Sequence, residues 1–286
     1  MIEELATFAK AQGWNLYDLA IVHGGKAESA YLQDCNKCNN SYSVAKALTM
    51  TAIGMLRDEG RLDLDDRVAD ILRDQLPPAH DRRWDRVTVH HALSHTTGLA
   101  EGLMDIDVDD VTEYGTRDYL HYVLRHSLPF DPGERYVYTD AAYYILSRVV
   151  SALTGQTLAA FLTRRLFAPL GFTEMAWSSC PMGYTIGATG LYIKASDMVK
   201  LAWLYRGGGT WAGERLLSRE WVDLVRARRY ELAPTGLGDW QGKGGMYGQM
   251  MAFSPSLDLA IAWHGFQRKA DFRPLLTFAG QLAGAS

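Results

Sequence analysis

Two kinds of apolar spacing alternate along the chain. Over residues 2–11, Ile2, Leu5, Phe8 and Ala9 share one face of a predicted helix that Gly13 ends. "LAIVHGGKAESAYL" reads as two short apolar runs around Gly24–Gly25, a hairpin signal. Helical spacing returns with Val44, Leu48, Ala52, Met55 and Leu56, and Gly60 supplies the stop. "LDLDDRVADIL" predicts a short extended piece and a helix halted by Pro77–Pro78. From 88 to 206 the pattern is mostly helical, with segments around 88–95, 116–126, 140–153, 157–167 and 195–206. "RGGGTWAGERLLS" is turn-like, and 218–228 reads as a further helix. In "YGQMMAFSPSLDLAIAWHGF", Leu257, Leu259, Ile261 and Trp263 alternate behind a Ser-Pro-Ser turn, a second hairpin. The tail, with Phe272, Leu275, Leu276, Phe278 and Leu282, returns to helical spacing.

Strand signals at both ends with helices between them predict an α+β fold. A single antiparallel sheet is drawn from both termini and covered by terminal helices, with a mostly helical lobe inserted. The expected division is one domain over 1–286, with a sheet lobe at about 1–60 and 207–286 and a helical lobe at about 61–206. A cleft between lobes is the expected place for a ligand site.

Composition narrows the function classes. The 286 residues are 48% hydrophobic, enough for a sizeable core. The net charge of −4 carries no electrostatic footprint for nucleic acid. No stretch reaches the ~18 apolar residues of a membrane span. "MIEELATFAKAQGW" has neither a basic n-region nor an apolar h-region, so a cytoplasmic protein without a membrane partner is expected. Cys35, Cys38 and Cys180 are an odd count, which argues against a disulfide framework. Cys35 and Cys38 have no second pair with which to hold zinc, and unpaired thiols in a turn are the better reading. His91 and His95 stand four apart, but no glutamate completes a His-Glu-x-x-His motif and no third ligand is evident. No metal or cofactor is expected. The Gly-x-Ser-x-Gly elbow, the P-loop and an intact Gly-x-Gly-x-x-Gly are missing from the sequence.

"CNNSYSVAKALTM" carries the first candidate chemistry. Ser43 and Lys46 stand three apart at a helix start. A serine there sees the positive end of the helix dipole, and a lysine one turn on can activate its hydroxyl. The plain alternative is a helix cap and a surface lysine. Three further segments follow in order: "LSHTTGL" at 93–99, Tyr138-Thr139-Asp140 in "GERYVYTDAAYYIL", and "KGGMYGQ" at 243–249. With these, the sequence resembles the serine β-lactamase and penicillin-binding-protein-like hydrolases, in particular the class C β-lactamase and esterase branch. The likeness runs from about residue 16 to about 266. Around "PLGFTEMAW", "GLYIKASDMVKLAWLYRGGGTWAGERLLSREW" and "GGMYGQ" it is closest to the esterase-like and nylon-oligomer-hydrolase-like members.

The resemblance implies a β-lactamase/transpeptidase-like fold and a role for each matched position. Ser43 would be the acylated nucleophile of a Ser-x-x-Lys motif and Lys46 its activating partner. Tyr138 matches the tyrosine of the family's Tyr-x-Asn motif, the proton carrier of this branch. Lys243-Gly244-Gly245 matches the Lys-Thr-Gly strand motif, and the backbone N–H groups of Ser43 and Met246 would form the oxyanion hole. The chemistry is coherent on its own terms: two ammonium groups beside a phenol favour its phenolate, which then takes the serine proton. The alternative for Tyr138 is a packed aromatic, and for Lys243 a solvated turn lysine. His95 and Gly98 match a loop that reads as structural. Trp240 and Tyr247 flank the third motif, either as acyl-pocket walls or as core.

One position departs from the family's pattern. Asn15, Asn36, Asn39 and Asn40 are the only asparagines in the chain, so Asp140 stands where the second motif has asparagine. An ionised aspartate accepts hydrogen bonds but donates none. It suits holding Lys46 as an ammonium and does not suit donation to the acylamide carbonyl of a β-lactam side chain. Expected substrates are therefore small esters first, linear amides or oligomers second and β-lactams third. A D-Ala-D-Ala carboxypeptidase activity and a non-catalytic ligand- or partner-binding module are the alternatives.

Overall fold

The computed structural model describes residues 1–284. Helix α1 (Ile2–Ala11) leads into the hairpin of β1 (Leu16–His23) and β2 (Lys26–Tyr31). Strand β3 (Asn39–Asn40) and a 3₁₀ turn (Tyr42–Val44) run straight into α2 (Ala45–Asp58). Helices α3 (Val68–Ile71), α4 (Val89–Leu93), α5 (Tyr119–Leu124), α6 (Asp140–Thr154) and α7 (Leu158–Leu162) follow, the last continued by a π turn. Short strands β4 (Ala176–Trp177) and β5 (Leu191–Ile193) precede α8 (Ala195–Arg206). Then come β6 (Thr210–Trp211), β7 (Glu214–Arg215), α9 (Arg219–Arg228), β8 (Ala233–Pro234) and β9 (Gln241–Gly244). The expected second hairpin is β10 (Met250–Ser254) and β11 (Leu259–Gly265), and α10 (Arg273–Gly284) is the expected tail helix. Among the described residues no single helix is long and apolar enough to cross a membrane.

The chain divides into two compact units, residues 1–44, 166–176 and 191–286, and residues 45–165 and 177–190. These bounds differ from the 60/61 and 206/207 divisions expected above. Helix α2 falls in the second unit because it packs on α6 and α7. Helix α8 falls in the first because it packs on β1, β10 and β11.

The first unit is built on a six-stranded sheet of order β2-β1-β11-β10-β9-β8, antiparallel throughout, which matches the α+β expectation. The two-residue strand period decides its faces. Leu19, Ile21, Leu259, Ile261 and Trp263 point to a core shared with Ile2 and Leu5 of α1 and Leu275, Leu276 and Ala279 of α10. Each fully buried leucine or isoleucine there contributes roughly 2 kcal/mol. Alternate positions include Asp18 and His264, opposite each other in the ladder. The His264 ring nitrogen Nδ1 lies 3.0 Å from an Asp18 oxygen. The other Asp18 oxygen accepts from the N–H of Ala195, the first residue of α8. A buried aspartate–histidine hydrogen bond is thus tied to the start of α8.

The second unit is helical. Residues 45–56 of α2 and 140–151 of α6 are buried on every face, so these are central helices rather than amphipathic covers. Gly155, at φ 69, ends α6 in the left-handed conformation that glycine adopts without a steric cost.

Candidate active site

The first unit carries Ser43 and the lysine-glycine strand. Ser43 lies half-buried in the 3₁₀ turn just before α2, a turn earlier than a simple helix-face reading places it. The turn's entry is pinned. The N–H and the hydroxyl of Ser41 both donate to the Leu191 carbonyl, at 2.8 and 2.9 Å, and the Asn40 side-chain oxygen accepts from the Tyr42 N–H at 2.9 Å. Tyr42 sits at φ 48, a left-handed conformation costly for a bulky side chain, on the order of 1–3 kcal/mol. Surrounding hydrogen bonds hold it, which fixes the direction in which the chain delivers Ser43.

Lys243 lies on β9, opposite Met251 of β10, and its ammonium forms an ion pair with Glu231. It is therefore a paired strand residue and not a solvated turn lysine. Gly245 follows the strand where a Cβ would come 2.9 Å from the Ser41 carbonyl oxygen and 2.5 Å from Gln249 Oε1. Only glycine lets this backbone lie so close to the segment that carries Ser43. Gln249 organises the turn beyond: its carbonyl accepts from Gly245 N–H at 2.8 Å, its Oε1 from Tyr247 N–H at 3.1 Å, and its Nε2 donates to the Gly265 carbonyl. The N–H groups on either side of Met246 are thereby engaged within the turn. Tyr247 meets Tyr42 edge-on, with ring centroids 5.0 Å apart, and stacks on Phe266. Trp240 belongs instead to the core beneath α1 and α10, so of the two flanking aromatics only Tyr247 stands beside the Ser43 turn.

The second unit carries the other candidates. Lys46, on α2, is fully buried. Its Nζ lies 2.6 Å from an Asp140 oxygen, donates to the Ala188 carbonyl at 3.1 Å, and sits 4.8 Å from the centre of the Tyr138 ring. Such a partner favours the ammonium form. Asp140 opens α6, at the positive end of its dipole. Tyr138 is 39% exposed, so it is not a core aromatic, while Thr139 beneath it is buried.

The His95 loop explains how Tyr138 is held. The Val137 N–H donates to the His95 carbonyl and the Thr139 N–H to His95 Nδ1, and the His95 ring lies 4.5 Å from that of Tyr138. Thr139 also exchanges two 3.0 Å hydrogen bonds with the backbone of Leu103. His95 thus holds the backbone on both sides of Tyr138. His91 completes a capping box with Thr88 at the start of α4, so its Nδ1 serves the Thr88 N–H.

Two sets of acids escaped the sequence reading. Asp105 and Asp107 stand with Asp140, one oxygen from each within 4.8 Å of the others. Burial pushes the carboxyl of Asp105 up, and the charges of Asp140, Asp107 and Asp109 push it further. Burial also raises Asp107 and the Asp140 charge adds to it, against the Thr189 hydroxyl donating at 2.5 Å and the Lys46 ammonium. The acid run "DIDVDD" was the available signal. Glu231 had none, because its place beside Lys243 depends on a turn in the backbone.

A family model described as Beta-lactamase matches residues 38–271. Penicillin-binding protein 4 of Amycolatopsis lactamdurans is 37% identical over 135 residues, 47% of this chain and 34% of that protein. Esterase EstB of Burkholderia gladioli is 30% identical over 148 residues, 48% of this chain and 38% of that protein. The matches thus span little more than a third of either curated relative. A solved Bacillus anthracis structure, provisionally named 6-aminohexanoate-dimer hydrolase, superposes with a TM-score of 0.82 at 15% identity, over 97% of this chain and 82% of that one. At that identity the likeness speaks for the fold alone.

Proposed function

This chain belongs to the beta-lactamase family, and on that premise we propose that it is a serine hydrolase forming an acyl-enzyme on Ser43, with small esters as its first substrates. Ser43 Oγ attacks the acyl carbon while its proton passes to the Tyr138 oxygen. The bond to the leaving alkoxide breaks, and Tyr138 returns the proton to it. Water then attacks the acyl-serine ester, and Ser43 leaves as the free hydroxyl with the acid released. The N–H groups of Ser43 and Met246 take the oxyanion, at roughly 3 kcal/mol of barrier each.

The observation that carries this reading is the Lys46–Asp140 pair beneath the exposed Tyr138. A lysine held as an ammonium is no proton acceptor, which leaves the base role to Tyr138, whose ring centre lies 4.8 Å from that ammonium. The same pair supports the substrate order. Asp140 engages Lys46 and offers no N–H to an acylamide carbonyl, so esters stand ahead of linear amides, and linear amides ahead of β-lactams. The relatives' names, a penicillin-binding protein and an esterase, span that range.

The test is Ser43→Ala against a 4-nitrophenyl ester, with fluorophosphonate labelling of the unaltered protein. Turnover is expected to fall at least about 10²-fold, with the label on Ser43. Hydrolysis near the original rate in the variant refutes the nucleophile. A folded protein that neither turns over ester nor takes the label is a binding module instead.

A further inference from the structure

We propose that Glu231 is a specificity-determining residue: by holding the Lys243 ammonium in an internal ion pair, it selects neutral acyl donors over those that carry a carboxylate near the scissile bond. This rests on the hydrolase reading above, with Lys243 taken as a substrate-binding residue because it matches the family's Lys-Thr-Gly strand motif. An unopposed ammonium on β9 attracts a substrate anion; one already paired presents a nearly neutral surface, with Glu231 repelling a second carboxylate.

The pair is built into the backbone. Glu231 sits between the fully buried side chains of Tyr230 and Leu232 and is itself only 8% exposed. Its φ of 54 lies in the left-handed region, and so does that of Arg229 two residues earlier, at 57. The Leu232 N–H donates to the Tyr230 carbonyl at 2.6 Å, closing a three-residue turn around Glu231. Such turns with positive φ are rare and strained for residues other than glycine. The strain persists because packing on both sides over-determines it, and it puts the Glu231 carboxylate against Lys243. Strand β8 begins two residues later and pairs with β9, Ala233 opposite Gly242, so the sheet itself carries Glu231 past the lysine. A solvated lysine at this place would need neither the turn nor the burial.

The pair also fits the proposed substrate order. On that reading Asp140 biases the second unit away from acylamide substrates. Glu231 biases the first unit away from carboxylate-bearing ones, a group that β-lactams and peptide C-termini share. Both residues favour simple neutral esters, by different means.

The experiment compares 4-nitrophenyl valerate with mono-4-nitrophenyl glutarate, which puts a carboxylate in place of the terminal methyl. Glu231→Gln is expected to raise the glutarate-to-valerate ratio of kcat/KM by about tenfold, chiefly through a lower KM for the glutarate, and added salt should shrink the gain. Glu231→Asp, which keeps the charge, should keep the original ratio. A merely structural role would move both substrates together. Binding of glutarate itself, measured by titration calorimetry in a Ser43→Ala background, supplies a readout without turnover, and Glu231→Gln should tighten it by a similar factor. Tightened glutarate binding with no ester cleavage would uphold the role of Glu231 and sink the hydrolase reading. Cleavage through Ser43 with neither ratio nor binding altered would sink the role of Glu231 alone.

Discussion

Lys46 and Lys243 each meet a buried carboxylate, and these two pairs are built by opposite means. Lys46 and Asp140 come from two central helices of the second unit, both in ordinary helical backbone, with the carboxylate at a helix start where its charge is welcome. Lys243 and Glu231 come from a strand and a strained turn of the first unit. The helical pair follows from regular geometry. The second exists only because packing around Tyr230 and Leu232 holds Glu231 in a conformation it would not adopt alone. A pair built without backbone strain suits a permanent support beneath Tyr138, while a pair that costs strain points to a selected effect on what binds.

Removing the first pair should have the largest consequence. Lys46→Met leaves the Asp140 carboxylate buried without its cation, which should cost about 3 kcal/mol of stability in denaturant titrations. It should also lower ester turnover at least about 10²-fold, since Tyr138 loses the ammonium that lies 4.8 Å from its ring centre. A variant that keeps both stability and turnover would show that the pair is incidental.

Asp140→Asn sharpens the comparison more gently. It restores a donor and takes the anionic partner from Lys46. The ratio of amide or β-lactam turnover to ester turnover should rise about tenfold, measured with nitrocefin against a 4-nitrophenyl ester. An unchanged ratio would detach the substrate order from this residue.

The smallest effect concerns the acids around the first pair. The folded-state carboxyl of Asp107 is raised above its ordinary value of 3.8, chiefly by burial. The folded protein therefore binds more protons than the unfolded chain above that value, so stability falls as pH rises through the folded carboxyl's own titration. Asp107→Asn retains an oxygen to accept from Thr189 and removes that loss. Its melting temperature should exceed the parent's by about 2 °C at pH 7 and match it near pH 3, by scanning calorimetry. A lower melting temperature at pH 7 would mean that the ionised carboxylate supports Lys46 more than burial opposes it.

Much of the fold was legible because its elements are periodic. The two hairpins, α1, α2, α6, α8 and α10 fall where apolar spacing puts them. The two-residue strands β3 and β4 and the β8–β9 pair were not legible, because so few positions carry no period and their pairing is decided by distant chain. At the site, the spacing of Ser43 and Lys46 and the missing asparagine at 140 stood in the sequence. The clamp of His95 on the Tyr138 segment did not, since it depends on a hydrogen bond from the Thr139 N–H to the His95 ring across 44 residues of chain.

The sequence by itself determined which groups are present and in what order: a hydroxyl and an ammonium one helical turn apart, a phenol two residues before an aspartate, and a lysine followed by two glycines. It determined these because they are local, and local spacing fixes which side chains share a turn or a strand. Only the tertiary structure decided the charge each lysine meets. Lys46 finds Asp140 from another helix, 94 positions along by the difference of their numbers, and Lys243 finds Glu231 through a left-handed turn. Ion pairing acts through space, over a few ångströms, and distance along the chain says nothing about that separation until the backbone is folded.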